Sequence, residues 1–155
     1  MADLLTTSKK WNKVFDDADF ISQLTAHLSK YMHTTRWYAA KSEEAKNYRI
    51  SQKTVLAGDK GTLAHAVTIE VNFAAGFTEY YFMTLAFCSD IDIDKKGLVC
   101  EASIGGVKGQ VVDALFWEDF RKFLFLQITN QKKFEDTEGL LAFEKGKMLR
   151  SATGY

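Results

Sequence analysis

Three strand-like segments in the middle of the chain, joined by very short turns, constrain the fold more than any other feature. Residues 48–56 alternate loosely between apolar and polar side chains, residues 63–73 alternate more regularly, and residues 79–87 are rich in aromatic and β-favouring types. The turn GDKG at 58–61 and a turn at Gly76 separate them. Because parallel neighbours need a crossover of about a dozen residues or more, these strands are predicted to pair antiparallel.

A helix is predicted on each side of these strands. Apolar residues recur at three- and four-residue steps between 20 and 32, which is the spacing of one buried helix face. Asp16 or Asp17 can cap the N-terminus of this helix. A second helix is predicted from 117 to about 130. Shorter strands are predicted at 98–103, 110–113, 139–143 and 147–149.

This order of elements is typical of an α+β fold rather than a doubly wound one. The predicted architecture is a curved antiparallel sheet packed on the N-terminal helix, followed by the second helix and the short strands. Residues 1–95 would form this first region. Residues 96–155 would form a strand-helix-strand extension packed on it as part of a single compact unit. Residues 1–10 are mostly polar and are predicted to fray.

The balance of residue types narrows the class of protein. With 155 residues, 46% of them hydrophobic, the chain can bury a sizeable core. Twenty basic and twenty acidic residues give a formal net charge of zero, which argues against a general nucleic-acid binder. We expect no signal peptide and no membrane span. Cys88 and Cys100 form no CxxC pair, so both are predicted to be reduced core residues in a cytoplasmic protein.

Two aromatic and two cationic residues lie close together where the first helix should end. Arg36, Trp37, Tyr38 and Lys41 fall within six residues. We interpret them as a structural corner, in which the rings bury against the sheet and the cationic groups reach back to helix carbonyls or a carboxylate. A ligand site is the alternative interpretation of the same residues.

The segment RWYAAK at 36–41 also resembles the N-terminal cap domain of maltokinase and of maltokinase-like kinases, including those fused to trehalose synthase. The strand-rich residues 67–87 are similar to the same family. So is VVDAL at 111–115, in which Asp113, Ala114 and Leu115 precede the next helix. The resemblance extends over most of the chain, from about residue 24 to residue 141.

The resemblance implies a cystatin-like shape for roughly the first half and a role without catalysis. The family's catalytic loop carries an aspartate near a His-Gly motif, and no histidine here is followed by glycine. ATP and magnesium would therefore belong only to a parent kinase. The expected role is an interaction or regulatory module for a sugar kinase or trehalose-metabolising enzyme, and dimerisation stays open. The alternative is a stand-alone small-molecule-binding or enzymatic domain that uses the concave face of the sheet.

An acidic segment after the third strand has part of the pattern of a calcium loop. Asp90, Asp92, Asp94 and Glu101 occupy the first, third, fifth and twelfth positions of such a loop. Lys95 stands at the sixth position, where the sharp turn of a calcium loop needs glycine. We therefore predict an acidic hairpin rather than a metal site.

Two further patterns have ordinary structural interpretations. The glycine-rich residues 104–109 lack the Gly-Lys-Ser/Thr that begins the helix of a phosphate-binding loop, so they are predicted to be a hairpin turn. The three histidines show no i, i+4 pairing, and His65 is predicted to be a core residue of a strand rather than a metal ligand.

Overall fold

A computed structural model describes residues 4–59, 61–90, 92–136 and 139–146 of the protein. It contains two α-helices, eight strands and three short 3-10 helices within those ranges. The strands are β1 (Leu5–Thr7), β2 (Ala45–Gly58), β3 (Gly61–Phe73), β4 (Thr78–Cys88), β5 (Leu98–Ile104), β6 (Val107–Asp113), β7 (Lys133–Asp136) and β8 (Gly139–Ala142). The helices are α1 (Ala18–Met32) and α2 (Glu118–Thr129), with 3-10 helices at Trp11–Asp16, Lys95–Gly97 and Ala114–Phe116.

Six of the strands form one curled sheet in the order β1-β5-β6-β4-β3-β2. The predicted α+β class is confirmed, and the three central strands β2, β3 and β4 pair antiparallel as expected. One edge of the sheet differs from the prediction, because β1 runs parallel to β5, with Leu5 opposite Ala102. The sheet is therefore mixed.

The prediction that residues 1–10 fray was wrong for β1. Leu5 is completely buried in the core, and the side-chain amide of Gln23 on α1 makes two hydrogen bonds to the backbone of Thr6. Burial of one leucine and pairing of the strand's outward-facing peptide groups hold this short segment in place.

Helix α1 begins where its capping residue predicts. The side chain of Asp17 accepts hydrogen bonds from the backbone amides of Asp19 and Phe20, at 3.0 and 3.3 Å. The carboxylate also accepts a hydrogen bond from the hydroxyl of Thr7 on β1. The bond from Thr7, together with those from Phe20 and Asp19, lowers the pKa of Asp17, and the Thr7 bond ties the start of the helix to the edge strand.

Alternation along the central strands divides the core into two layers. From Val67 onward the odd-numbered residues of β3, such as Ile69, lie in the layer that packs against α1, whereas Ala64 and Ala66 lie in the opposite layer. That opposite side is covered by α2, through Phe120, and by the hairpin of β7 and β8. The predicted second helix is confirmed, while β7 was not predicted, and the strand predicted at 147–149 lies outside the described residues.

Two glycines form the turn between β5 and β6. Gly105 and Gly106 both have positive φ, at 56° and 85°, and Ile104 pairs directly with Val107. Both central positions of a two-residue hairpin turn of this kind need positive φ, which glycine adopts without strain. The hairpin prediction is confirmed, although the strand resumes at Val107 rather than at residue 110.

Strands from both predicted regions take part in the large sheet, because β1 to β4 precede residue 95 and β5 and β6 follow it. The division of the chain near residue 95 stays a prediction. In the part of the chain that the structure describes, neither helix combines the length and the hydropathy needed to span a bilayer.

Candidate functional site

A groove of about 1010 Å³ opens where β5 begins and β6 ends. One side is formed by the last turn of α1 and the residues that follow it, up to Trp37. The other side is formed by the two 3-10 helices Lys95–Gly97 and Ala114–Phe116. The groove therefore brings together the two segments singled out in the sequence, 36–41 and 111–115, although they lie far apart along the chain.

Strand β4 extends beyond its pairing with β6, and this extension supports one side of the groove. Strand β6 pairs with β4 only from Leu85 to Cys88, so β4 continues past the end of β6, back to Thr78. The aromatic corner packs on this extension of β4, with the rings of Trp37 and Tyr38 centred 5.7 and 5.1 Å from the ring of Tyr81.

Two threonines end α1 and set the direction of the corner. The hydroxyls of Thr34 and Thr35 donate hydrogen bonds to the carbonyls of Tyr31 and Met32, at 2.7 and 2.8 Å. The backbone amides of the same threonines bond to the same two carbonyls. These bonds satisfy carbonyls that a helix end leaves without intrahelical partners, so the chain leaves the helix at a defined position.

The two rings of the corner have opposite environments. Tyr38 is 1% exposed, and its hydroxyl lies 3.2 Å from that of Tyr48. Burial, followed by the bond to Tyr48, raises the pKa of Tyr38. Trp37 is 41% exposed. The prediction that the rings bury against the sheet is right for Tyr38 and wrong for Trp37, because the ring of Trp37 contacts Tyr81 but stays partly exposed and lines the groove.

The cationic groups of the corner also differ from expectation. Arg36 and Lys41 are both exposed, and within the described residues neither side chain makes a hydrogen bond or an ion pair. The expectation that they reach back to helix carbonyls or a carboxylate was wrong. Arg36 lines the groove, whereas Lys41 does not.

A buried tyrosine–aspartate pair lies at the base of the groove. The hydroxyl of Tyr31 is 3.2 Å from both the Asp113 carboxylate and the carbonyl of Lys96, and it can donate to either. The other carboxylate oxygen of Asp113 accepts from the backbone amide of Leu115 at 3.1 Å, which caps the 3-10 helix Ala114–Phe116. Burial raises the pKa of Asp113 and of Tyr31, so these groups join α1 to the opposite side of the groove in a weakly solvated contact.

A comparison with models of protein families matches residues 31–116 to the maltokinase N-terminal cap domain, and this region is more than half of the chain. The chain belongs to the maltokinase N-terminal cap domain family. The resemblance predicted from the sequence is thereby confirmed. The matched region of the cap domain begins at Tyr31 and ends at Phe116, and both residues line the groove. A search of curated proteins finds no match to this chain.

The acidic segment of the cap domain does not converge on one point. Asp90, Asp92 and Glu101 line a shallow depression that also contains Lys108, and Gln110 donates a hydrogen bond to Glu101 at 3.1 Å. Asp94 instead caps the 3-10 helix Lys95–Gly97 by accepting from the amide of Lys96 at 2.9 Å. Within the described ranges, no group of three or more His, Cys, Asp or Glu side chains is placed to hold a metal ion.

His65 of the cap domain is a core residue, as predicted. It is 2% exposed and lies between the rings of Trp11 and Phe15, with ring centres 4.7 and 4.8 Å away. Its Nε2 donates to the carbonyl of Trp11 at 2.7 Å. Burial lowers the pKa of His65 to about 4, so the ring is neutral near pH 7.

Sequence reasoning missed several residues of the groove. Lys95 and Lys96 were assigned to an acidic hairpin, and Phe116 follows directly after the segment 111–115 without having been singled out. Phe116 packs over Gly97, where an added Cβ would lie only 2.6 Å from the Phe116 side chain. The signal available in the sequence was the pair of adjacent lysines before Gly97, but their position relative to Arg36 depends on the sheet.

Proposed function

We propose that this chain is a non-catalytic cap domain that acts as an interaction or regulatory module in maltose, trehalose or glycogen metabolism. Its partner would be a sugar kinase or a trehalose-metabolising enzyme in the cytoplasm, and ATP and magnesium would be used only by the kinase. The observation that carries the proposal is the groove, because the two family segments present exposed apolar side chains there. Trp37, Leu115 and Phe116 are 41%, 50% and 37% exposed.

The chemistry of the groove supports binding rather than catalysis. An acid–base or phosphoryl-transfer site needs polar groups that converge on one reacting atom. The carboxylate that lines this groove, Asp113, already accepts hydrogen bonds from Tyr31 and the amide of Leu115. Aromatic and aliphatic side chains beside it are the type that anchors protein interfaces.

The alternative, a small-molecule-binding domain, was expected to use the concave face of the sheet, but both faces are covered. Helix α1 packs on one face of the sheet, and α2 with the β7–β8 hairpin packs on the other. A small ligand would therefore occupy the groove itself, where the exposed indole of Trp37 offers a flat surface for a sugar ring.

Affinity purification from the native organism tests the proposal. We expect the tagged wild-type protein to retain a carbohydrate-metabolising enzyme. The Leu115→Asp variant should retain about tenfold less of this enzyme, because a charge replaces an interface anchor. Leu126→Asp is the matched control, since Leu126 lies on α2 and is similarly exposed, at 54%. Retention of no such enzyme by the wild type, or magnesium-dependent phosphorylation of maltose by the purified chain, would refute the proposal.

A further inference from the structure

Four cationic side chains surround the groove. Lys30 and Arg36 project from the side of α1, and Lys95 and Lys96 from the opposite side. All four are exposed, and within the described part of the chain none of them has a carboxylate within ion-pair distance. Because the whole chain has a formal net charge of zero, this concentration of positive charge is a local property of the groove.

The acidic residue that lines the groove forms no ion pair with these cations. Asp113 is buried, and its two oxygens accept from Tyr31 and from the amide of Leu115. The exposed charge of the groove is therefore of one sign, which favours anionic partners and repels cationic ones.

The apolar part of the groove is held in a defined position. Phe116 lies directly over Gly97, and the Asp113 cap holds the turn that carries Leu115 and Phe116. On the opposite side, Trp37 rests on Tyr81. The groove therefore has apolar anchors in fixed positions with cations around them. Such a surface can bind apolar and acidic side chains of a partner at the same time.

The arrangement fits an extended segment better than a small anion. The cations lie on opposite sides of an open groove rather than converging on one point. The buried polar groups at its base, Tyr31 and Asp113, are bonded to each other. A compact anion such as phosphate would need several donors directed at one location. A peptide with acidic residues on both sides of an apolar one could contact the two cationic sides and the apolar centre together.

We infer that the groove binds a segment of a partner protein in which acidic side chains flank one or more apolar side chains. This inference rests on the proposed function as an interaction module, and it adds the chemistry of the partner segment and the residues that recognise it. Lys95, Lys96, Arg36 and Lys30 would contact the acidic groups, while Trp37, Leu115 and Phe116 would contact the apolar ones.

Site-specific photo-crosslinking identifies the segment that occupies the groove. A benzoylphenylalanine residue is introduced at Leu115, or at Leu126 as the control, and the crosslinked peptide is sequenced after irradiation in native cells. We expect the probe at position 115 to capture a segment with net negative charge and apolar residues, and the probe at position 126 not to capture it. A neutral or basic segment, or another copy of this chain, would overturn the inference.

A synthetic peptide that spans the captured segment then tests the role of charge. Its affinity is measured by fluorescence anisotropy for the wild type, for Lys95→Glu/Lys96→Glu and for Lys132→Glu/Lys133→Glu. We expect the first double variant to bind about tenfold or more weakly and to lose most of the salt dependence, while the second behaves as wild type. Lys132 and Lys133 are the matched control, because they are an adjacent, exposed pair outside the groove. Thermal unfolding verifies that both double variants fold.

The results also separate this inference from the proposed function. Retention of a carbohydrate-metabolising enzyme that crosslinks from position 126 but not from 115 would overturn the groove inference and leave the proposed function standing. Capture of an acidic and apolar segment from an unrelated protein would support the groove inference and refute the proposed metabolic role. Equal peptide affinity of all three proteins, or displacement of the peptide by millimolar inorganic phosphate, would overturn the groove inference.

Discussion

Adjacent residues of one motif have different roles in this cap domain. Tyr38 is completely enclosed and contacts Tyr48 and Tyr81, so its contribution is to the stability of the fold. Trp37 contacts Tyr81 but leaves much of its ring exposed beside the groove. Burial rather than residue type therefore decides which of the two aromatic side chains stabilises the protein and which is available to a partner.

Substitution of these two residues should give opposite patterns in stability and binding. Tyr38→Ala should lower the free energy of unfolding by about 3–5 kcal/mol, the range for removal of a buried large aromatic side chain. Trp37→Ala should lower the free energy of unfolding by only about 1 kcal/mol, because it removes a partly exposed aromatic contact with Tyr81. Urea melts measure both values, with Tyr38→Phe as a control that keeps the ring. An equal loss for Trp37→Ala and Tyr38→Ala would contradict the assignment of Trp37 to the surface.

The buried imidazole of His65 predicts a dependence of stability on pH. Its pKa is lowered from 6.5 in the unfolded chain to about 4 in the folded protein, so the unfolded state binds the proton more tightly. The buried neutral imidazole therefore contributes fully to the free energy of unfolding above pH 6.5. This contribution, up to about 3 kcal/mol, is lost as the pH falls towards 4. We expect His65→Gln to show a smaller loss of stability than the wild type between pH 7 and pH 4.5. Parallel slopes of unfolding free energy against pH for the two proteins would refute this role.

At the scale of elements, the two edges of the large sheet are protected in different ways. Strand β1 has only three residues, and Gln23 of α1 both donates to and accepts from the backbone of Thr6, as a neighbouring strand would. Strand β2 is long, but it carries register shifts near residues 46, 51 and 57 and a bidentate Arg49–Glu70 pair with β3. Short strands, bulges and charged side chains reduce the tendency of an edge to pair with another chain.

Removal of the Gln23 amide should release β1. Gln23→Ala should cost about 1–2 kcal/mol, since the two hydrogen bonds to the backbone of Thr6 are lost. Hydrogen exchange of the Thr6 amide should accelerate in this variant by more than the change in global stability explains. Gln127→Ala is a suitable control, because the Gln127 amide bonds to the carbonyl of Phe123 in its own helix. An unchanged rate of exchange at Thr6 would show that Gln23 does not hold the strand.

For the whole molecule, one sheet joins two apolar layers. Cys100 lies in the layer that packs against α1, and Cys88 lies in the layer that contains Phe120 of α2. Strands β4 and β6 contribute side chains to both layers: Leu85 and Val111 to one, Ala86 and Val112 to the other. Loss of either layer would therefore expose apolar side chains on strands shared with the other layer, which favours cooperative unfolding.

The two cysteines report whether the layers unfold together. Both thiols are buried, and burial raises their pKa to about 11 for Cys88 and about 12 for Cys100, so neither should react with a disulfide reagent in the folded protein. The Cys88→Ala variant keeps only the Cys100 thiol, and the Cys100→Ala variant keeps only the Cys88 thiol. We expect the two thiols to become reactive at the same urea concentration, once the midpoints are corrected for the stability of each variant. Exposure of Cys88 at clearly lower urea than Cys100 would instead indicate that the layer containing α2 opens separately.

The local structure and the fold class could be predicted from the amino-acid sequence. Alternation along β3, the glycines between β5 and β6, and the Asp17 cap are short-range patterns, and each specifies the same structure wherever it packs. The segment 36–41, together with the strands and the segment 111–115, also indicated the family before the sheet was known. These features depend on residues close together in sequence, which is why they could be predicted.

The way in which these elements combine into a groove could not be predicted and became apparent from the packing of the folded chain. The exposure of Trp37 depends on where Tyr81 lies on β4, and the position of Lys95 and Lys96 opposite Arg36 depends on where β5 begins beside β6. Gln23, which bonds to the backbone of β1, likewise lies on another element. Long-range contacts of this kind follow from the packing of the whole chain, and no local period or turn signal in the sequence encodes them.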